Sequence, residues 1–184
     1  MSLSIFNARL LDPASGLDEI GGILIEDGFI TAISPGATGA VGNANEVIDA
    51  GGLCLAPGLI DLRVKTGEPG DEQKETLATA SRAAVAGGVT SLVVMPDTKD
   101  DVALVRYISD RAKVSAKARI YAAGALTVGL EGHAMAEIGM MADAGAVLFT
   151  NGDAPISNPS ILKRAMTYAA SRGAIVMSRP DDCA

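Results

Sequence analysis

The sequence predicts an α/β fold: a parallel sheet with helices outside it, preceded by a small all-β segment. Two observations carry this. From Leu59 onward, short apolar runs near residues 60, 93, 121, 147 and 176 alternate with amphipathic stretches, and strand–helix units repeated at that spacing build parallel sheets. Before Leu55 the apolar segments are short and separated by turn residues. The expected domains are therefore 1–55, a small β domain, and 56–184, the α/β part.

In the first part, Ser4-Ile5-Phe6, Gly22-Ile23-Leu24-Ile25-Glu26 and Phe29-Ile30-Thr31-Ala32-Ile33 read as strands. Asp27-Gly28 between the last two is a tight hairpin signal. The Gly/Ala/Asn-rich run from Pro35 to Asn45 is a loop, and Glu46-Val47-Ile48-Asp49 is another strand. So small a block is expected to need further strands from elsewhere.

In the second part, Leu59 to Val64 lies between Pro57-Gly58 and the Gly67, Pro69-Gly70 cluster, which predicts a buried strand opening into a loop. Glu72 to Ala86 puts Leu77, Ala80, Ala84 and Val85 on one helical face and ends at Gly87-Gly88, a helix stop. Ser91 to Met95 is a strand closed by Pro96, Asp101 to Lys113 an amphipathic helix, and Arg119 to Ala123 a strand. His133 to Ala144 reads as a methionine-rich helix closed by Gly145, ahead of the strand Ala146 to Phe149. Asn158 as N-cap and Pro159 at the first helical position start a helix to Arg172, stopped by Gly173. The strand Ala174 to Met177 follows. Five strands fit an open α/β sheet or the first part of a (β/α)8 barrel, which needs eight strands and about 250 residues. Ending at Asp181-Asp182-Cys183-Ala184, just past a strand with no covering helix, favours the partial barrel.

With 184 residues and 48% hydrophobic content, the chain can bury a core and is not disordered. A formal charge of -7 argues against a nucleic-acid partner, since no basic stripe exists to neutralise phosphates. Two cysteines, Cys54 and Cys183, are too few for a disulfide framework or a thiolate zinc knuckle and fit a reducing compartment. The N-terminus lacks a cationic region followed by a long apolar block. The longest nearly apolar stretch, Ala83 to Met95, is broken by Gly87-Gly88 and is too short to span a bilayer. A soluble cytoplasmic protein without membrane contacts is expected.

Side chains alternate along a strand, so Asp61, Arg63 and Lys65 share one face of the Leu59–Val64 run while Ile60, Leu62 and Val64 share the other. Three charged groups on one face of an otherwise buried strand are costly unless paired or engaged in chemistry. That face is the candidate site.

The stretch Ala56-Pro57-Gly58-Leu59-Ile60-Asp61-Leu62-Arg63-Val64-Lys65-Thr66-Gly67-Glu68-Pro69-Gly70 resembles the signature of the dihydroorotase branch of the amidohydrolase superfamily, A-P-G-x-I-D-x-H-x-H-x-R-E-P-G. Lys74-Glu75-Thr76, the run Ala83 to Thr90 and Met95-Pro96-Asp97-Thr98 are similar to the family's K-E-T, A-A-A-G-G-V-T and M-P-N-T segments. Gly145 to Thr150 resembles the fourth barrel strand. The resemblance implies a metal-dependent (β/α)8 barrel of amidohydrolase type, of which this chain covers about the first five strand units, plus a small β domain built from both termini. It also implies a full length roughly twice that of this chain.

The departures fall on the site. Arg63 and Lys65 stand where the family has two histidine ligands, and Gly67 where it has a substrate-binding arginine. Asp97 replaces the asparagine of M-P-N-T. Asn151-Gly152, with Asp153 one place on, replaces an aspartate pair, and Arg179 stands at the fifth-strand histidine. A hydrolytic zinc site needs about three neutral or anionic ligands and an open position for water. Arg63 cannot be deprotonated, and Lys65 is cationic unless strongly desolvated. At 4 Å two unit charges repel by about 4 kcal/mol at an effective dielectric of 20, and a dication doubles that. The single histidine, His133, lies away from the signature strand and reads as an ordinary exposed or capping residue.

Arg63, Lys65 and Arg179 are accordingly expected to fill the former metal volume, neutralised by Asp61, Asp97, Asp153 and Glu68. No catalytic residue, metal or other cofactor is expected. Proteins similar in lacking the H-x-H pair include non-catalytic dihydroorotase-like subunits that assemble with aspartate transcarbamoylase in some bacteria. The resemblance thus implies a structural partner of that enzyme in pyrimidine synthesis, acting in a homo- or hetero-oligomer. Two alternatives stay open: an active cyclic-amide hydrolase converting dihydroorotate and carbamoyl aspartate, with a rebuilt zinc site, and a protein binding anionic metabolites through the cationic pocket. Other features read as structure: Asp18-Glu19 and Asp100-Asp101 as surface or helix-start charges, and Met135, Met140 and Met141 as core or interface filler. No G-x-S-x-G supports serine-hydrolase chemistry.

Overall fold

In a computed structural model, which describes residues 1–96 and 101–179, the chain packs as two compact units, Met1–Pro57 and Gly58–Ala184. In the first unit the strands are β1 (Ser2–Asp12), β2 (Leu17–Glu26), β3 (Phe29–Pro35), β4 (Glu46–Asp49) and β5 (Cys54–Leu55). They form one sheet in the order β3-β2-β1-β4, with β5 also pairing with β1. The β2–β3 hairpin turns on Asp27 and Gly28, both at positive φ (50° and 85°), the backbone a type I′ turn requires. β1 is antiparallel to β2 but parallel to β4 and β5, and Ala8, Leu10 and Ile23 form the buried core beneath it. The sequence anticipated four short strands here. The 11-residue β1 exceeds its apolar trio Ser4-Ile5-Phe6 because Ala8 and Leu10 continue the buried face beyond a bulge after Ile5.

The second unit alternates β6 (Leu59–Val64), α1 (Leu77–Ala86), β7 (Val89–Val94), α2 (Val102–Ser115), β8 (Arg119–Ala125), α3 (Ile138–Asp143), β9 (Leu148–Thr150), α4 (Pro159–Ser171) and β10 (Ile175–Met177). The strands are parallel and lie in strictly sequential order, β10-β9-β8-β7-β6. That order decides the architecture. A doubly wound sheet reverses its strand order. With right-handed crossovers, an unreversed order sends every helix to the same side of the sheet and leaves the other side to curl inward. The unit is a half-barrel, an arrangement that fits five consecutive strand units of a (β/α)8 fold.

Its two faces are both apolar, as parallel sheets require. Leu92, Val94, Ile120, Ala122 and Phe149 pack with Leu77, Val105, Ile108, Met141, Ala165 and Ala169 of the helices. Alternate positions, Val93, Met95, Ala123 and Leu148, with Met177, form a second cluster. The helix starts follow from their caps. Thr76 and Thr79 make a reciprocal capping box on α1, Asp101 Oδ1 accepts from Ala103 N at 2.8 Å, and Asn158 Oδ1 accepts from Ser160 N at 2.9 Å.

Three expectations are corrected. The first helix begins at Leu77, not Glu72, because the Thr76 cap fixes its start. The methionine-rich helix is only Ile138–Asp143. The chain from Val128 to Leu130 is a 3-10 turn, and Thr127 bridges to Met135, which holds His133 in a loop. β6 is not buried: Leu59, Ile60 and Leu62 are 61%, 64% and 53% exposed. Among the described residues β6 hydrogen-bonds to a strand on one edge only, β7, so its apolar side chains lack the second neighbour their composition suits. Among the described residues, no helix is long and apolar enough to cross a membrane.

Candidate functional site

Three strand ends of the half-barrel meet at Asp153, in the turn after β9. Lys65, just past the end of β6, places Nζ 2.5 Å from Asp153 Oδ2. Arg63, two residues earlier on the same side of the strand, donates from Nη2 to Asp153 Oδ1. Arg179, two residues past β10, points Nη1 at the Asp153 carbonyl oxygen, 3.5 Å away. A flat sheet would hold β6 and β9 three strand spacings apart, about 14 Å. Curling of the sheet brings their ends within reach of a single carboxylate. The contacts are open to water: Arg63, Lys65 and Asp153 have half-exposed side chains, 52%, 51% and 48%.

The remaining candidate residues divide. Asp61 turns back on its own strand, with Oδ1 accepting from Arg63 N at 2.9 Å. Glu68, expected to neutralise the cations, does not. It is buried, its side chain 2% exposed, and faces α1 and α2. There Oε2 accepts from Leu77 N at 2.8 Å, and Oε1 accepts from Tyr107 Oη at 3.0 Å and Arg111 Nε at 2.8 Å. Burial pushes the Glu68 carboxyl up, but the Leu77, Arg111 and Tyr107 donors outweigh it and hold the group below its ordinary value. Asp97 lies outside the described residues.

Asn151 and Gly67 are committed to backbone. Asn151 is buried: its Oδ1 accepts from Thr127 N at 3.1 Å and Thr127 Oγ1 at 2.7 Å, while Nδ2 donates to Leu130 O at 3.1 Å. An amide supplies an acceptor oxygen and a donor nitrogen together, which an ionised carboxylate does not, so Asn151 is a strut for the 127–132 loop. Gly67 sits inside a closed turn, with Gly67 N donating to Glu75 O at 3.0 Å and Asp71 N donating to Gly67 O at 2.6 Å. A Cβ at Gly67 would overlap the Asp71 carbonyl. The loop therefore occupies the space through which any side chain at residue 67 would leave the backbone. Sequence reading missed Tyr107, Arg111 and Thr127. The first two stand four residues apart on α2, a same-face spacing that was legible, but their target, Glu68, was assigned elsewhere.

Residues 52–184 match the family model described as dihydro-orotase-like. This chain is a member of the dihydro-orotase-like family. A dihydroorotase of Pelobacter propionicus is 40% identical over 99% of this chain and 43% of its own length. A dihydroorotase-like protein of Pseudomonas putida is 43% identical over the same shares, 99% and 43%. The chain thus spans less than half the length of these curated relatives. Among solved structures, an enamidase of the amidohydrolase superfamily superposes with a TM-score of 0.66 at 25% identity, covering 98% of this chain and 52% of the enamidase.

The amidohydrolase fold implies a metal at the strand ends, and the residues present there do not fit one. Guanidinium and ammonium groups carry no lone pair to donate to a metal, and both Asp153 carboxylate oxygens already accept from them. Asn151 has spent its oxygen on Thr127. Among the described residues, no group of three His, Cys, Asp or Glu is placed to hold a metal ion.

Proposed function

We propose that this chain belongs to a dihydroorotase-like protein of pyrimidine biosynthesis that does not hydrolyse the cyclic amide and serves as a cytoplasmic structural partner of aspartate transcarbamoylase in a hetero-oligomer. One observation carries the loss of hydrolysis: Arg63 and Lys65 stand where a metal-dependent barrel needs neutral nitrogen donors, and both bind Asp153. A dication at that point would face two fixed positive charges in place of two ligands. Gly67 adds to this, because the 67–75 loop shuts the space a substrate-binding side chain would use. The partnership rests on the likeness to subunits lacking the same histidine pair, and the 43% identity to a protein named only dihydroorotase-like is in keeping with it.

The rival reading, an active dihydroorotase with a rebuilt zinc site, draws on the 40%-identical relative that bears the enzyme's name. Turnover of dihydroorotate by full-length protein, with and without added zinc, separates the two. The non-hydrolytic reading expects no turnover in either condition and co-purification with the transcarbamoylase. Turnover abolished by a chelator overturns it.

A further inference from the structure

The cluster at Asp153 has an uneven construction. Three cationic side chains from two strand ends, Arg63 and Lys65 of β6 and Arg179 after β10, address one aspartate. Asp61, on the same face of β6, turns to the Arg63 backbone N–H. A guanidinium offers five N–H donors and an ammonium three. Asp153 Oδ1 takes one donor from Arg63, and Oδ2 takes one from Lys65. Lys65 and Arg179 hold further contacts as well; what marks the site is the convergence and the fork of Arg63. That fork is half-exposed. It lies at the C-terminal ends of the strands, the face on which barrels of this type hold their ligands. A cleft of about 610 Å³ opens beside Lys65, floored by Val94, Met95, Ala123 and Gly124.

We propose that Arg63, Lys65 and Arg179 form a binding site for a small oxyanion, a phosphate or carboxylate group, with Asp153 acting as an internal stand-in for that ligand. The proposal rests on the reading that cations have replaced the metal. An incoming oxyanion takes the Arg63 fork and the Lys65 ammonium by charge-assisted hydrogen bonds, displacing or joining the Asp153 carboxylate. Asp153 then competes with the ligand, and this sets the site apart from a structural ion pair: removing the aspartate strengthens binding instead of abolishing it.

The test is calorimetric titration of full-length protein with inorganic phosphate and, separately, with succinate at low ionic strength. Zinc content is measured on the same samples. The expected result is saturable binding of at least one probe. Arg63→Gln should weaken it by about tenfold through loss of a charged donor, and Asp153→Asn should tighten it several-fold. A response to phosphate alone assigns a tetrahedral ligand; a response to succinate alone assigns a carboxylate. Absence of saturable heat up to about 10 mM in both the parent and Asp153→Asn overturns the site, that ceiling being weaker than about 3 kcal/mol of binding. Affinity unchanged or lowered by Asp153→Asn overturns it too, and that variant alone decides should Arg63→Gln fail to fold. Metal-free protein that binds neither probe sinks the anion site only, whereas a stoichiometric zinc ion in these samples sinks the non-hydrolytic reading beneath it.

Discussion

Lys65 and Asp153 lie 88 positions apart and meet at 2.5 Å, joining the first strand of the half-barrel to the turn after its fourth. With Arg63 on the other carboxylate oxygen, this contact ties together two strand ends of the curled sheet.

The bridge is half-exposed, and exposed ion pairs contribute little. Asp153→Asn should lower stability by about 1 kcal/mol at low ionic strength. High salt should shrink the difference as the pairs are screened. Chemical denaturation in low and high salt measures both.

Glu68 is the stronger strut. Its buried carboxylate ties the loop after β6 to the start of α1 and to α2 through Leu77, Tyr107 and Arg111. Glu68→Ala leaves these donors without their acceptor and should cost about 2–4 kcal/mol. The pH dependence has a definite sign. The folded carboxyl titrates below its ordinary value of 4.5, so its contribution is fully present above that value and is lost as pH falls through the depressed one. Glu68→Gln should flatten the acid limb of the stability profile, read from denaturation midpoints across that range.

Gly67→Arg should not recreate a substrate-binding arginine. The Asp71 carbonyl stands where its Cβ must go, so the loop has to open or the variant has to lose about 2 kcal/mol or more to overpacking. Thermal denaturation reads the loss, and an assay for dihydroorotate hydrolysis should stay blank.

Asn151→Asp would restore the residue type of the family's aspartate pair at a site now built for an amide. The carboxylate would face the Leu130 carbonyl with no proton to donate, at a cost of about 1–3 kcal/mol. Hydrogen exchange in the 127–132 loop should accelerate in this variant while the β8 core stays protected.

How far the sequence alone reaches is clearest at individual positions. The strand–helix alternation, the Asn158 cap and the Asp27-Gly28 turn were readable because each is a local preference. The partners of Arg63 and Lys65 were only half readable. The charge pattern of β6 demanded carboxylates, but the sequence offered Asp61, Asp97, Asp153 and Glu68 without choosing among them. Sheet curvature selected Asp153, and burial under α2 removed Glu68. The exposure of Leu59, Ile60 and Leu62 was not legible at all, since composition reports what a strand is suited to pack against and not which neighbours it has. His133 was drawn into a helix by its methionine-rich context, whereas the Asn151–Thr127 bonds, 24 positions apart, hold that segment as a loop.

The loss of hydrolysis requires that positive charge has taken the metal's place at Asp153. Metal analysis of full-length protein, purified and then dialysed against a slight excess of zinc, addresses this directly. Well below one zinc per chain is expected, with no change on Asp153→Asn. One zinc per chain, retained by the parent and lost on Asp153→Asn, would contradict that loss of hydrolysis.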